Sequence, residues 1–269
     1  MITKKNQKFI LGTNKNTPTM GILGESGQIP LYLQGFISLL KFWYRITHIS
    51  GETLVNKAYK AQLSGEKQSD WLSTVHFLLK YIGMGGTQCS NNFDASSFEN
   101  ECKRKLMQKF TYEWNCKLKS DGRLKFYDQI KHIYGKEKYL DDVNDYKTRK
   151  IITKFRCSDH KLEIEIGRHN STPPDERICK LCHDGIENEM HFLCKCPAYA
   201  DLRKRIFNQE KVDIKLAEKI IACQQKTLSL KLGNYLQKAF KIRESILEAV
   251  SEHERMLKDL LRMGYIVVN

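Results

Sequence analysis

Proline is scarce in this chain of 269 residues, with five in all, at positions 18, 30, 173, 174 and 197. None lies between Leu31 and Thr172. Proline breaks a helix by removing an N–H and crowding the preceding turn, so that long stretch carries no such break and suits a run of helices. Long apolar runs are also missing. The most apolar stretch, 29–43, is interrupted by Gln34 and Lys41 and falls short of the ~20 residues a membrane span needs. Met1 to Met20 is polar and lysine-bearing and lacks the apolar core of a signal peptide, so the chain reads as intracellular, nuclear or cytoplasmic, and not secreted. Acidic residues are in deficit, 31 against 45 Lys and Arg, which leaves a formal net charge of +14. Such an excess favours a polyanionic partner, because cationic side chains displace counterions from phosphates.

Cysteine is present in an odd number, nine, and four of the nine fall within the eighteen residues 179–196. Without secretion a disulfide framework is not expected, and clustered Cys with His reads as metal binding instead. The segment runs Cys179-x2-Cys182-x8-His191-x4-Cys196. Two intervening residues let both thiolates of the first pair reach one ion from a tight turn, and the second pair closes a tetrahedron from the other side of a short loop. Four protein ligands leave no open position for water, so the expectation is one structural zinc rather than a catalytic one. Gly185 allows the turn between the halves. Two alternatives stay open here: Cys194 could replace Cys196, and His183 adjoins Cys182.

Elsewhere apolar residues recur mainly at helical spacing. The pattern predicts helices over about 30–49, 52–63, 70–82, 97–118, 124–134, 143–155, 197–207, 214–223 and 228–262. Leu162, Ile164 and Ile166 alternate with Glu163 and Glu165, which predicts a short strand. The expected fold is mainly α: a multi-helix globular chain with a short strand element and a small CCHC zinc loop. Its expected divisions are a flexible tail over 1–28, a basic helical domain over 29–156, the zinc-binding segment over 157–210 and C-terminal helices over 211–269.

The run from Arg177 to Cys182, followed by Glu187-Asn-Glu-Met-His191-Phe-Leu-Cys-Lys-Cys196-Pro-Ala-Tyr199-Ala-Asp-Leu-Arg203, resembles the zinc-binding region that follows the reverse transcriptase domain in non-LTR retrotransposon polyproteins. The likeness extends through Phe155 to Arg168, Gly24 to Leu31 and Lys41 to Arg45, and so covers roughly residues 20–210; only the cysteine motif is specific. The resemblance implies a piece of a mobile-element protein without its polymerase, contact with the element's RNA or the target DNA, and the ligand set Cys179, Cys182, His191 and Cys196. Cys194 departs from the pattern, where an apolar residue is expected.

Several strings are decoys. Tyr139-Leu-Asp141-Asp142 matches the Y-x-D-D of polymerase palms but lacks the apolar flanking strands of that hairpin, and Asp141 is expected to cap the next helix. Ser120-Asp121-Gly122 reads as a turn. Gly83-Met-Gly85-Gly86 has no following Lys-Ser/Thr and is not a phosphate loop. No catalytic constellation emerges, and no small-molecule substrate is indicated. Phosphate contacts are expected from Lys147, Arg149, Lys150, Lys154 and Arg156, and from Arg203, Lys204 and Arg205. The functional expectation is a non-catalytic, zinc-stabilised fragment that binds RNA or DNA. A basic helical protein-interaction scaffold, or a decayed mobile-element fragment without selected function, is the alternative.

Overall fold

A computed structural model describes residues 4–49, 53–64, 70–85 and 94–262. The backbone forms helices α1 (Lys4–Ile10), α2 (Thr19–Ser26), α3 (Leu31–Thr47), α4 (Leu54–Ser64), α5 (Asp70–Tyr81), α6 (Ala95–Ser120), α7 (Lys125–Ile130), α8 (Tyr139–Asp142), α9 (Tyr146–Arg156), α10 (Glu163–His169), α11 (Ala200–Phe207), α12 (Ile214–Ala222) and α13 (Lys226–Arg262). Residues 50–52, 65–69 and 86–93, which separate expected helices, and residues 263–269 lie outside the described residues. None of the described helices is long and apolar enough to cross a membrane.

The helices gather into two compact units. The first, within 28–120, holds α3 to α6. In α6 the residues Phe98, Cys102, Leu106, Phe110, Trp114 and Leu118 repeat every fourth position and are all buried, since positions four apart lie one above the other on a helix. They meet Leu33, Leu40 and Tyr44 of α3, with Tyr44 stacked on Phe98 at 4.2 Å between ring centroids. The α5 residues Leu72, Val75, Leu78 and Leu79 complete this core.

Among the described residues the second unit takes in Lys4–Gly27 and 121–262. Its core centres on Phe155, Phe192, Tyr199, Leu232, Tyr235 and Leu236. The first half of α13 packs on α9, α11 and α12. At the crossing with α9, a Cβ on Gly233 would overlap the Thr148 methyl, so the helices approach as closely as they do only because Gly233 has no side chain. Gly233→Ala is expected to lower stability by about 2 kcal/mol through overpacking, measured by urea unfolding.

Four expectations are corrected. Residues 1–28 are not a flexible tail across their described part: α1 and α2 form, Ile22 and Leu23 are buried, and the fully buried Glu25 carboxylate accepts hydrogen bonds from Arg156 Nε (3.0 Å) and from the Tyr139 hydroxyl (2.5 Å). A seven- or eight-residue helix shows too few turns for a period, and its anchor lies more than a hundred residues away. The unit boundary falls at 120/121, not 156/157. The strand expected at 162–166 is α10, with Glu163 and Glu165 turned inward. Their carboxylates find cations there, Arg243 and Lys180 for Glu163 and Arg168 for Glu165, and acidic residues also favour the first turn of a helix. Among the described residues strand pairing is confined to the isolated antiparallel bridge Ile178–Ile186. Finally, the cap of α9 is Asp145, which accepts from the Thr148 N–H at 2.7 Å, whereas Asp141 lies within α8 and pairs with Lys136.

Candidate metal centre

The cysteine loop begins at a fixed post. The Arg177 guanidinium donates to the Ile164 carbonyl at 2.8 Å and to the Thr172 carbonyl at 3.0 and 2.8 Å, which ties the strand-like start of the loop to α10. The Ile178–Ile186 bridge then folds the loop on itself: Cys179 N–H donates to the Gly185 carbonyl at 3.0 Å and Glu187 N–H to the Arg177 carbonyl at 2.9 Å. Between these rungs His183 (φ 54°) and Gly185 (φ 79°) take the left-handed conformation that reverses the chain, the turn expected at Gly185.

The second pair of ligands sits on a helical turn of unusual width. Asn188 Oδ1 accepts from the His191 N–H at 2.8 Å and starts the turn. From His191 to Lys195 the backbone is a π-helix, closed by Cys196 N–H donating to the His191 carbonyl at 2.9 Å. An α-helix places positions i and i+5 about 140° apart around its axis; the wider i→i+5 turn brings them nearer one side. That is how an H-x4-C spacing directs both side chains to one point.

The result is a closed donor set. The ligand atoms of Cys179, Cys182, His191 and Cys196 lie within 4.8 Å of one another. Cys179 Sγ is 3.9 Å from Cys196 Sγ, and Cys182 Sγ is 3.3 Å from His191 Nε2. Tetrahedral coordination with metal–sulfur bonds near 2.3 Å requires S···S separations of about 3.8 Å, so the cluster has the dimensions of a metal site, and it could hold an ion. Cys179 and Cys196 are buried without exposure, His191 is 8 % exposed and Cys182 is half-buried. Hydrogen bonding from the Cys196 thiol, aided by His191 and the backbone amides of Cys182 and Leu181, draws the Cys179 thiol well below its ordinary pKa. The other two thiols move the opposite way: burial pushes Cys182 up and the hydrogen bond to Cys179 pushes Cys196 up, each opposed in part by a backbone amide, of Asp184 and of Ala198.

Both open alternatives close. Cys194 is 2 % exposed and stands outside the donor set, its thiol pushed up to about 11 by burial, and so it stays protonated as a small apolar side chain. His183 is exposed and also outside the set.

Around the loop lies a buried polar frame with no local sequence signal. Arg243 of α13 holds the Glu187 carboxylate with two hydrogen bonds, 2.8 and 2.7 Å, and reaches Glu163 of α10 at 3.2 Å. Glu187 in turn receives the Glu163 N–H at 2.9 Å and lies 3.8 Å from Cys179 Sγ. Glu189 accepts from Ser158 at 2.8 Å and faces His160 Nε2 at 3.1 Å. Beyond the cluster, Arg203 donates to the Cys196 carbonyl at 2.7 Å and the Glu210 carbonyl at 2.6 Å. A cavity of about 690 Å³ lined by Asp184, Asn188, His191, Lys195 and Lys211 opens beside the imidazole.

The cationic residues expected to meet phosphate divide. Arg156 and Arg203 are both fully buried, Arg156 against Glu25 and Glu137 and Arg203 against backbone carbonyls, so neither reaches a phosphate. Their charge answers groups distant in sequence, whereas helical spacing suggests only a cationic face. Lys147 is exposed and Lys150 and Lys154 half-exposed on α9, with Arg149 half-buried and donating to the Val143 and Asn144 carbonyls. Lys204 and Arg205 are exposed on α11, with Lys204 paired to Glu210 at 2.9 Å. Comparison of the chain with models of protein families, with curated proteins and with solved structures finds no match in any of the three.

Proposed function

We propose that this chain is a non-catalytic, zinc-stabilised nucleic-acid-binding module, of the kind that follows the reverse transcriptase domain in non-LTR retrotransposon polyproteins. The observation that carries the zinc reading is the convergence of three sulfurs and one imidazole nitrogen with tetrahedral spacings. Thiolate-rich closed sets select zinc among the common divalent ions, and with four protein donors the ion supplies folding energy rather than a bound hydroxide. Cys179, Cys182, His191 and Cys196 would hold it. The buried frame of Glu187 and Arg243 orients the loop against α10 and α13, as outer-shell partners do in metal sites.

The nucleic-acid reading is supported by the net charge of +14 and by the cations that remain accessible on α9 and α11. The metal loop itself is a poor phosphate binder: three thiolates on a divalent ion leave a net negative charge, exposed Asp184 adds to it, and Lys180 is paired with Glu163. Contact therefore belongs to Lys147, Lys150 and Lys154 of α9 and to Lys204 and Arg205 of α11. The test is fluorescence anisotropy of labelled RNA and DNA across a salt series. Replacing Lys147, Lys150 and Lys154 by Ala is expected to weaken binding alike for every sequence and to reduce the slope of log K against log salt by about 2–3. An unchanged slope would remove α9 from the interface.

One observation favours a second reading, a protein-interaction scaffold. The last part of α13 exposes Ile246, Val250, Met256 and Leu257 along a helix whose residues 251–259 are all exposed. Affinity for mixed RNA that survives high salt unchanged, or no affinity at low salt, would favour the scaffold.

A further inference from the structure

The first unit carries a surface that neither the metal loop nor the α9 lysines explain. At one end of the α3–α5–α6 bundle, aromatic rings gather on the outside. Tyr32 of α3 is 47 % exposed and meets Phe36 edge to face at 5.7 Å. Phe77 of α5 is 65 % exposed and lies parallel to Tyr81 at 6.1 Å, with 15° between the ring planes. The Lys109 ammonium of α6 sits 5.4 Å from the centre of the Tyr81 ring. The Tyr81 hydroxyl donates a hydrogen bond to the Glu113 carboxylate at 2.6 Å, which fixes the ring's orientation. The Glu113 hydrogen bond pushes the Tyr81 phenol up to about 12, so the ring stays neutral.

Two exposed rings, Tyr32 and Phe77, each backed by a half-buried one, Phe36 and Tyr81, make a grouping uncommon on a surface without a ligand. The neighbouring charge identifies the ligand's sign. Helix α6 carries six lysines and arginines against three glutamates, and two of those glutamates are ion-paired, Glu99 with Lys41 and Glu101 with Arg104. Flat rings with the Lys109 ammonium against them, beside a helix of net positive charge, match a chain that alternates flat bases with phosphates. Bases of a duplex are already stacked on one another and cannot reach such rings, whereas those of a single strand can.

Resting on the nucleic-acid reading, we infer that Tyr32, Phe36, Phe77 and Tyr81, with Lys109 beside them, form a stacking platform for bases of single-stranded RNA or DNA. Base stacking on such rings does not depend on base identity, so the platform confers a preference for single strands without a sequence preference.

The experiment uses the full chain and a fluorescein-labelled twelve-nucleotide uridine strand, with a duplex of the same length as comparison, at one fixed salt concentration. The wild type is expected to bind the single strand more tightly than the duplex. Phe77→Ala is expected to lose roughly tenfold in single-strand affinity with duplex affinity unchanged, and Phe77→Trp to retain it. Phe77 is exposed, so its removal leaves the core intact, and an unchanged melting curve checks this; Tyr32→Ala gives a second, independent readout. Binding of nucleic acid that neither variant alters would overturn the platform and leave the nucleic-acid reading standing. Absence of binding by the wild type to either probe would overturn both. Concentration-dependent self-association abolished by Phe77→Ala, with single-strand affinity unchanged, would make this face a protein interface and overturn the proposal.

Discussion

Cys182→Ser is expected to release the metal and to lower the melting temperature of the second unit by roughly 20–40 °C. The size follows from two magnitudes. Coordination of a structural zinc by thiolate and imidazole is worth on the order of 10 kcal/mol at neutral pH, and 1 kcal/mol shifts the melting of a unit this large by roughly 2–4 °C. Loss on that scale rivals the whole stability of an ordinary domain. The damage should spread from the loop outward, because Glu187 and Arg243 connect it to α10 and α13 and Arg203 connects it to α11. Elemental analysis of protein purified without added zinc, alongside calorimetry, is the measurement. About one zinc per chain is expected in the wild type and none in Cys182→Ser, whereas Cys194→Ala should keep its metal and melt within a few degrees of the wild type. The pH dependence has a definite sign. The ion needs deprotonated thiols and a neutral imidazole, so protons compete with it and retention weakens as pH falls. A metal-free wild type, or a variant that melts like it, would eliminate the centre.

The second large effect is expected from Arg156→Met, which should destabilise the second unit by about 3–5 kcal/mol. Arg156 is fully buried 3.0 Å from Glu25 and 3.2 Å from Glu137, donates to the Ile221 carbonyl, and shares Glu137 with the buried Lys131. Tyr139 and Thr153 close the network. Exchanging the guanidinium for a thioether leaves Glu25 without its cation in a dry interior, and desolvation of an unpaired charge accounts for most of the loss. The check is a double-mutant cycle by urea unfolding. Glu25→Gln combined with Arg156→Met is expected to be less destabilised than the sum of the two singles, because the second change removes the charge that the first leaves unpaired. Strict additivity would mean that the pair is not energetically coupled. A nucleic-acid role for Arg156 makes the opposite prediction, loss of affinity with normal stability.

Much of this molecule is determined by its sequence alone. Helices recur wherever apolar residues keep their three-to-four spacing, as in Trp71 to Ile82 and Phe98 to Leu118, because that period needs only local geometry to act. The metal ligands are legible for the same reason: Cys-x2-Cys within one turn, and His and Cys five apart, place every donor within one short loop. The tertiary structure alone decided which charged residues face water. Arg156 and Lys154 are two positions apart on α9, yet Lys154 remains partly exposed while Arg156 finds Glu25 from α2 inside the core. Arg203 and Lys204 divide in the same way. Glu163 and Glu165 mimic the polar face of a strand, but a helix forms because Arg243, Lys180 and Arg168 neutralise them. An alternating or cationic pattern reports which side chains share a face. Whether that face meets water depends on partners tens of residues away, which come into reach only when the chain has folded.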